Sequence, residues 1–437
     1  MSRDGSLVSR LLQGIGSNEG PLSVGGLAAD ELATTFGTPL YAFDAEALRH
    51  NFGAVRDRLG PRVEILFALK ANPNAAVAST LRQAGAGGEV ASAGEILIAL
   101  HAGFRPDQLQ FAGPGKHGAD FELAVKHGLG AINLESTAEY EALARVATAH
   151  GVKVPVAVRV NPKASLAGSK MAMGGGSKKF GVDSDRVAAL VTRIVSEGIC
   201  ELRGLHLYAG TQSFDAAGWV SNARGLRDFA NALETEAGIA IHTLNFGGGF
   251  GVALYEGDHT LDLAALGQGL QQVIEEDQRP ARRYFVELGR YLTANAGVYI
   301  TRILYVKESG EKKHLIVDGG MHHHAAACGV GALIRRPYPM VLSRAPRADG
   351  GDKFAIGGPL CTPADELAAG VDLPPDVGAG DLLCVLASGA YGLTFSSVMF
   401  LGHPTPAEVL VDKGRAALVR RAGRVEDALR DQLLPES

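Results

Sequence analysis

Cysteine is scarce and scattered: Cys200, Cys328, Cys361 and Cys384 are the only four, and no two stand in a C-x-x-C pair. They neither staple a small fold nor build a zinc cluster, and a reducing, cytoplasmic setting is expected. Basic excess is also missing. The 42 Lys+Arg against 47 Asp+Glu leave a formal charge of −5 with no basic block, so nucleic acid is a poor partner. The start, Met1-Ser2-Arg3-Asp4-Gly5, carries an early acid and no long apolar region, which argues against a signal peptide. Residues 382–402 lack formal charge and are long enough to cross a membrane. Ser388, Gly389, Gly392, Thr394, Ser396 and Ser397 within them make a buried strand and active-site loop the better reading.

What is present is apolar material and glycine. Of 437 residues 46% are apolar and 20% charged, as in a globular protein with large cores. A length-over-150 prior suggests about three domains, although α/β barrels exceed that unit. Glycine reaches 57 residues, about 13% against a usual ~7%. With no collagen period, the excess implies tight turns or backbone brought close to a ligand.

Short apolar or β-branched runs recur at 63–69, 88–91, 109–112, 131–134, 155–160, 203–208, 243–246 and 284–286. Helical periods lie between them. Val187, Leu190, Val191, Ile194 and Val195 make one face, and Ser136 with Glu139 forms a capping box before Tyr140 and Leu143. Eight strands alternating with helices read as a (β/α)8 barrel, with a doubly wound sheet as the alternative. After about residue 290, strands at 314–317, 353–356, 381–387 and 408–411 form a second, mostly β domain. A lone strand at 40–43 is expected to join it, because an unpaired strand beside a barrel is hard to satisfy. The expected division is an N-terminal segment 1–44 joining the β domain, a barrel at 45–290 and a β domain at 291–437. Gly174–Gly176 fall in a long loop where a flap is plausible.

Barrel chemistry comes from the C-terminal ends of strands. Those ends carry Lys70, Arg159, Tyr208 with Thr211, the run Gly247-Gly248-Gly249-Phe250-Gly251, and Glu287-Leu288-Gly289-Arg290. Lys70 reads either as a strand-end lysine snorkelling to solvent or as a Schiff-base amine. The glycines would let backbone N–H groups approach a phosphate, although glycines after a strand are more often plain turns. Val252 stands where G-x-G-x-x-G needs its last glycine, which disfavours a dinucleotide. A lysine, a phosphate cradle and a carboxylate for a ring nitrogen are what pyridoxal phosphate requires.

In combination, F-A-x-K-A-N at 67–72, G-G-G-F-G, E-x-G-R at 287–290, G-P-x-C at 358–361 and S-G-A-Y at 388–391 resemble the fold-type III pyridoxal phosphate decarboxylases. That group includes the diaminopimelate, ornithine and arginine enzymes, and the resemblance runs over nearly the whole chain. It implies that Lys70 holds the cofactor as a Schiff base and that Glu287 keeps the pyridine nitrogen protonated. Arg159, Tyr208, Thr211, Gly248, Gly249, Gly289, Arg290 and Tyr391 would contact the cofactor. Cys361 would reprotonate the α-carbon, donated across a homodimer interface so that the active sites are shared. Arg290, Cys361, Thr362, Asp365 and Tyr391 would face substrate. A buried structural cysteine is the alternative for Cys361.

Departures from the pattern bear on substrate. The diaminopimelate enzymes carry histidine where Tyr208 stands and C-E-S where this chain has Cys361-Thr362-Pro363. His403 replaces a common arginine, and Leu288 a proline. His322-His323-His324 followed by Arg335-Arg336-Pro337-Tyr338-Pro339 is similar to the subgroup acting on carrier-linked amino acids. The butirosin-type glutamyl-[acyl-carrier-protein] and exosortase-associated decarboxylases belong to it. Three consecutive histidines on a strand alternate faces, so no metal is expected. Arg335 and Arg336 read either as a site for a carrier's phosphate or as a solvated pair. A free diaminopimelate substrate is the alternative within the family. An amino-acid racemase is the alternative outside it, opposed by Glu287 where racemases place arginine.

Overall fold

The computed structural model describes residues 6–17, 20–162, 179–208, 210–331, 335–345 and 351–435. Gly174–Gly176 lie outside them. The chain divides into two compact units. One comprises Asn51–Val252 and His259–Tyr291, and the other Met1–His50, Ala253–Asp258 and Leu292–Ser437.

The first unit is a closed parallel barrel. Its strands are β1 (Val63–Ala68), β2 (Gly87–Val90), β3 (Leu109–Phe111), β4 (Ala131–Leu134), β5 (Val154–Asn161), β6 (Cys200–Leu207), β7 (Thr243–Asn245) and β8 (Arg283–Leu288). Each pairs with the next, and β8 pairs with β1, Glu287 opposite Leu66. That last ladder excludes the open doubly wound sheet. Helices cover the outside. In Ser184–Glu197, Val187, Leu190, Val191 and Ile194 are buried, but Val195 is 49% exposed, so the apolar stripe is one residue narrower than its spacing implies.

The capping box after β4 is only half formed. Ser136 Oγ accepts the Glu139 N–H at the start of Thr137–His150. Glu139 instead accepts the N–H of Glu135 at 2.6 Å and pairs with the buried Lys116 at 2.7 Å. A buried cation competes better for a carboxylate than one more backbone N–H does.

Residues in register on neighbouring parallel strands point to the same face. Arg159, His206 and Asn245 are in register across β5, β6 and β7, and Glu89 is in register with Gln110 across β2 and β3. Asn245 of β7 hydrogen-bonds Gln110 of β3, a contact that can only run through the barrel interior. A polar layer thus fills the barrel axis, while alternate residues such as Val90, Phe111, Val158, Leu205, Leu244 and Val286 are fully buried.

In the second unit Leu40–Asp44 is buried along its whole length. It pairs antiparallel with Gly297–Ser309 and parallel with Ala407–Asp412, so the early strand completes the β sheet. His322–His324 sit in turns, not on a strand, because the chain bends directly after Lys312–Val317. The last two are hydrogen-bonded in the interior. His323 lies between the Tyr299 hydroxyl and the Pro404 carbonyl, and His324 meets Ser388 Oγ at 3.0 Å. Burial pulls their pKa values down to about 3, 4 and 3 in order, so all three are neutral at physiological pH. Among the described residues no three His, Cys, Asp or Glu are grouped to hold a metal, and no helix is long and apolar enough to cross a membrane.

At the foot of β8, Arg282 is fully buried against Asp277 at 2.7 Å, with Glu234 and the Ile241 carbonyl as further partners. Arg282→Ala strands those carboxylates and is expected to lower unfolding free energy by about 3–5 kcal/mol in urea titration. Arg283→Ala, at an exposed pair with Glu64, should change it little.

Candidate active site

The carboxyl ends of the strands open onto a cavity of about 640 Å³. Lys70, Arg159, Tyr208, Thr211 and Glu287, all singled out from the sequence, line it, together with Glu89, His206, Lys179 and Phe180. Lys70 follows β1 in a single tight turn, Leu69–Ala71, which lifts its amine clear of the ladder. Its Nζ lies 2.9 and 3.0 Å from the two oxygens of Glu89 and 6.0 Å from the Tyr208 ring centre. Glu89 is 1% exposed. Burial pushes its pKa up, the Lys70 charge pulls it back, and nearby Glu287 adds to the rise.

Glu287, the penultimate residue of β8, lies on the axis. Burial alone would favour its neutral form. His206 at 3.3 Å, the Lys70 charge and a 2.8 Å hydrogen bond from Asn245 overcome that, and its pKa falls to about 2. The carboxylate is ionised throughout the physiological range. His206 is 1% exposed; its Nε2 faces Glu287, and its Nδ1 has no hydrogen-bond partner among the described residues.

Arg159 is fixed on three sides. It donates to Glu135 at 2.9 Å and lies 4.8 Å from the Phe180 ring centre and 5.7 Å from that of Tyr208. Glu135 also accepts the N–H groups of Gly113 and Gly181 and so holds two stretches of cavity wall.

The glycine run after β7 is shaped by packing. A Cβ on Gly248 would meet the Glu287 carbonyl oxygen at 1.7 Å, and one on Gly249 (φ +86°) the Gly210 carbonyl oxygen at 2.0 Å. The Gly248 carbonyl accepts the Trp219 indole N–H, and the Gly249 carbonyl the Ser213 N–H. These glycines admit neighbouring strand ends, a second requirement for a missing Cβ beside backbone access for an anion. Gly289 likewise packs against Ala71, and Arg290 starts the short helix Arg290–Thr293 beside it.

Cys361, Thr362, Asp365 and Tyr391 belong to the other unit. Cys361 is the only exposed cysteine; burial pushes the thiols of Cys200 and Cys328 up to about 11 and about 12 and keeps them inert. The Asp365 carboxylate is engaged by the N–H groups of Met321 and Leu360, which pins the loop carrying Cys361. The Thr362 N–H closes the same turn on the Leu360 carbonyl. Tyr391 holds φ +52°, a strained value for a bulky residue and a mark of functional sites. Arg336 pairs with Asp258 at 3.0 Å and stacks over Tyr255, while Arg335 is exposed.

Five residues here escaped the sequence reading: Glu89, Gln110, Glu135, His206 and Asn245. Their signal was a single polar residue inside an apolar strand, or just after one.

Comparison with known proteins places the chain among characterised relatives. Residues 45–294 match the family described as pyridoxal-dependent decarboxylase, pyridoxal binding domain. The L-glutamyl-[BtrI acyl-carrier protein] decarboxylase of Niallia circulans is 39% identical over 93% of this chain and 96% of its own length. The diaminopimelate decarboxylase of Zymomonas mobilis is 32% identical over 94% and 97%. Among solved structures, diaminopimelate decarboxylase from M. jannaschii in complex with L-lysine superposes with a TM-score of 0.88 at 25% identity, covering 96% of this chain and 97% of that one.

Gly248→Ala forces a methyl into the Glu287 carbonyl and must move the end of β7 or β8. The variant is expected to bind pyridoxal phosphate at least about 10-fold more weakly in an absorbance titration, for a site displaced by even an ångström.

Proposed function

The chain belongs to the pyridoxal-dependent decarboxylases, and on that footing we propose that it removes the α-carboxyl group of a carrier-linked L-α-amino acid, a glutamyl thioester first among them. The observation that carries the chemistry is the cavity itself, where an amine and a buried, ionised carboxylate face one space. These residues fit pyridoxal 5'-phosphate, and Nδ1 of the buried His206, which has no hydrogen-bond partner among the described residues, leaves a polar atom for a ligand to meet. Bound, the cofactor supplies an electron sink for the pair released at the α-carbon when CO2 leaves.

The chain's own groups divide the remaining work. Lys70 is the amine that carries the cofactor, kept at the strand end by Glu89. Glu287, ionised at all physiological pH, holds a proton at the ring nitrogen. Tyr208 and Arg159 would hold the ring, since an aromatic phenol can stack as an imidazole does. Thr211, Gly248, Gly249, Gly289 and Arg290 would hold the phosphate. Cys361 Sγ delivers a proton to the α-carbon from a second copy of the chain, in a homodimer whose sites are shared. Asp365 serves by fixing the Cys361 loop, and Thr362 beside it offers a hydroxyl to the substrate. Four cysteines free of disulfides suit a cytoplasmic enzyme.

The carrier-linked reading is supported by the 39% identical relative, whose name specifies a glutamyl group on a carrier protein. Thr362 adds to it: a neutral side chain stands where the diaminopimelate enzymes carry glutamate for a distal amino group. Arg335, exposed and at the start of 335–339, is the residue offered to the carrier's phosphate. The diaminopimelate reading rests on the 32% identical relatives and is separated by assay.

Purified protein should show the absorbance band of lysine-bound cofactor, and Lys70→Ala should lose both that band and CO2 release. Cys361→Ala should keep the band while turnover falls by about 100- to 10,000-fold, the usual weight of a positioned proton donor. Side by side, the γ-glutamyl thioester should be turned over and free diaminopimelate should not; the reverse result assigns the chain to diaminopimelate. A wild type that takes up no pyridoxal phosphate sinks the proposal.

A further inference from the structure

Asn245 is 2% exposed at the end of β7, and its amide makes three hydrogen bonds. Nδ2 donates to Gln110 Oε1 and to Glu287 Oε1, each at 2.8 Å, and Oδ1 accepts the Gly247 N–H at 2.9 Å. The orientation of the amide is determined twice over. A backbone N–H can only donate, so Oδ1 must face Gly247; an ionised carboxylate can only accept, so Nδ2 must face Glu287. One side chain therefore ties the carboxylate on β8 to the first residue of the glycine run. It occupies one oxygen of Glu287 and leaves Oε2 at 3.3 Å from His206 Nε2.

We infer that Asn245 is a positioning residue for the decarboxylation: it orients the Glu287 carboxylate and couples that orientation to the Gly247–Gly251 segment. The inference rests on the proposed cofactor reading, in which Glu287 meets the ring nitrogen. The titratable groups facing Glu287 are His206 from β6, Lys70 from the turn after β1 and Glu89 from β2; Asn245 from β7 is the neutral donor among them. Without that donor, one oxygen of a buried carboxylate loses a charge-assisted hydrogen bond, and the segment after β7 loses its anchor.

Two substitutions separate positioning from mere packing. Asn245→Leu keeps the volume and removes every hydrogen bond. Asn245→Asp keeps the acceptor for Gly247 but places a second carboxylate against Glu287, so the two must share one proton. While that proton is present it mimics the amide donor; as pH rises through the pair's raised pKa it is lost and the carboxylates repel. Function should be present on the acid side and disappear towards the alkaline side.

The measurement is the dissociation constant of pyridoxal phosphate for cofactor-stripped wild type and both variants, by absorbance from about pH 5.5 to about pH 9. Circular dichroism checks the fold of each variant. Wild type should bind across the range and Asn245→Leu about 10- to 100-fold more weakly at every pH, the weight of a hydrogen bond to a charged group. Asn245→Asp should approach wild type at the acid end and weaken progressively as pH rises. If Asn245→Leu binds like wild type, or if Asn245→Asp is equally weak at all pH, the inference is overturned. Should Asn245→Leu fail to fold, the pH course of Asn245→Asp decides alone. A wild type that does not bind overturns the proposed function as well, which distinguishes that failure from this one.

Discussion

An ionised carboxylate on the axis of a barrel is the constraint around which the rest is arranged. Burying a carboxylate unaided costs several kcal/mol, and a lone Glu287 would take up a proton. His206, Lys70 and Asn245 prevent that, and each comes from a different part of the barrel wall. The ammonium is itself held by Glu89, a second buried carboxylate whose pKa burial drives the opposite way. Two acids on one axis are thus pushed apart in proton affinity, the arrangement expected where one must stay charged. The cavity's polarity is a consequence of barrel closure: in-register parallel strands aim Glu89, Gln110, Arg159, His206 and Asn245 at the axis.

The β unit solves another problem, holding an exposed thiol and a strained tyrosine on loops. Its means are buried polar side chains. Asp365 gathers the N–H groups that define the Cys361 turn, and Gly320 and Gly358 leave it room, since a Cβ on either would meet its carboxylate at 2.0 and 2.4 Å. His324 secures Ser388, three residues before Tyr391. His324 is therefore a support for the loop of the S-G-A-Y motif, while His323 links Tyr299 to Pro404. Of the two adjacent arginines, Arg336 is engaged by Asp258 and Tyr255, whereas Arg335 is exposed.

Much of this is legible in the amino-acid sequence itself. Apolar runs of strand length alternating with a 3.6 period marked the barrel, and the charged or glycine-rich ends of those runs marked Lys70, Glu287 and the segment after β7. The strand near residue 40 was assigned to the β domain because its edge needed partners. The interior layer was not legible in the same way. Each run is mostly apolar, and nothing local distinguishes Glu89, His206 and Asn245 from incidental polar residues. Their meaning depends on inter-strand register, which carries no local signature. Glu139 shows the same limit: S-x-x-E is a sound local signal, but a lysine 23 positions earlier redirected the carboxylate.

The account's central claim is that Glu287 keeps a proton on the cofactor's ring nitrogen. The most direct measurement is the ¹⁵N chemical shift of ring-labelled pyridoxal phosphate bound to the protein, followed across pH. The account predicts a pyridinium shift that persists through the physiological range in wild type and is lost in Glu287→Gln. A shift typical of a neutral pyridine in the wild-type protein would contradict it.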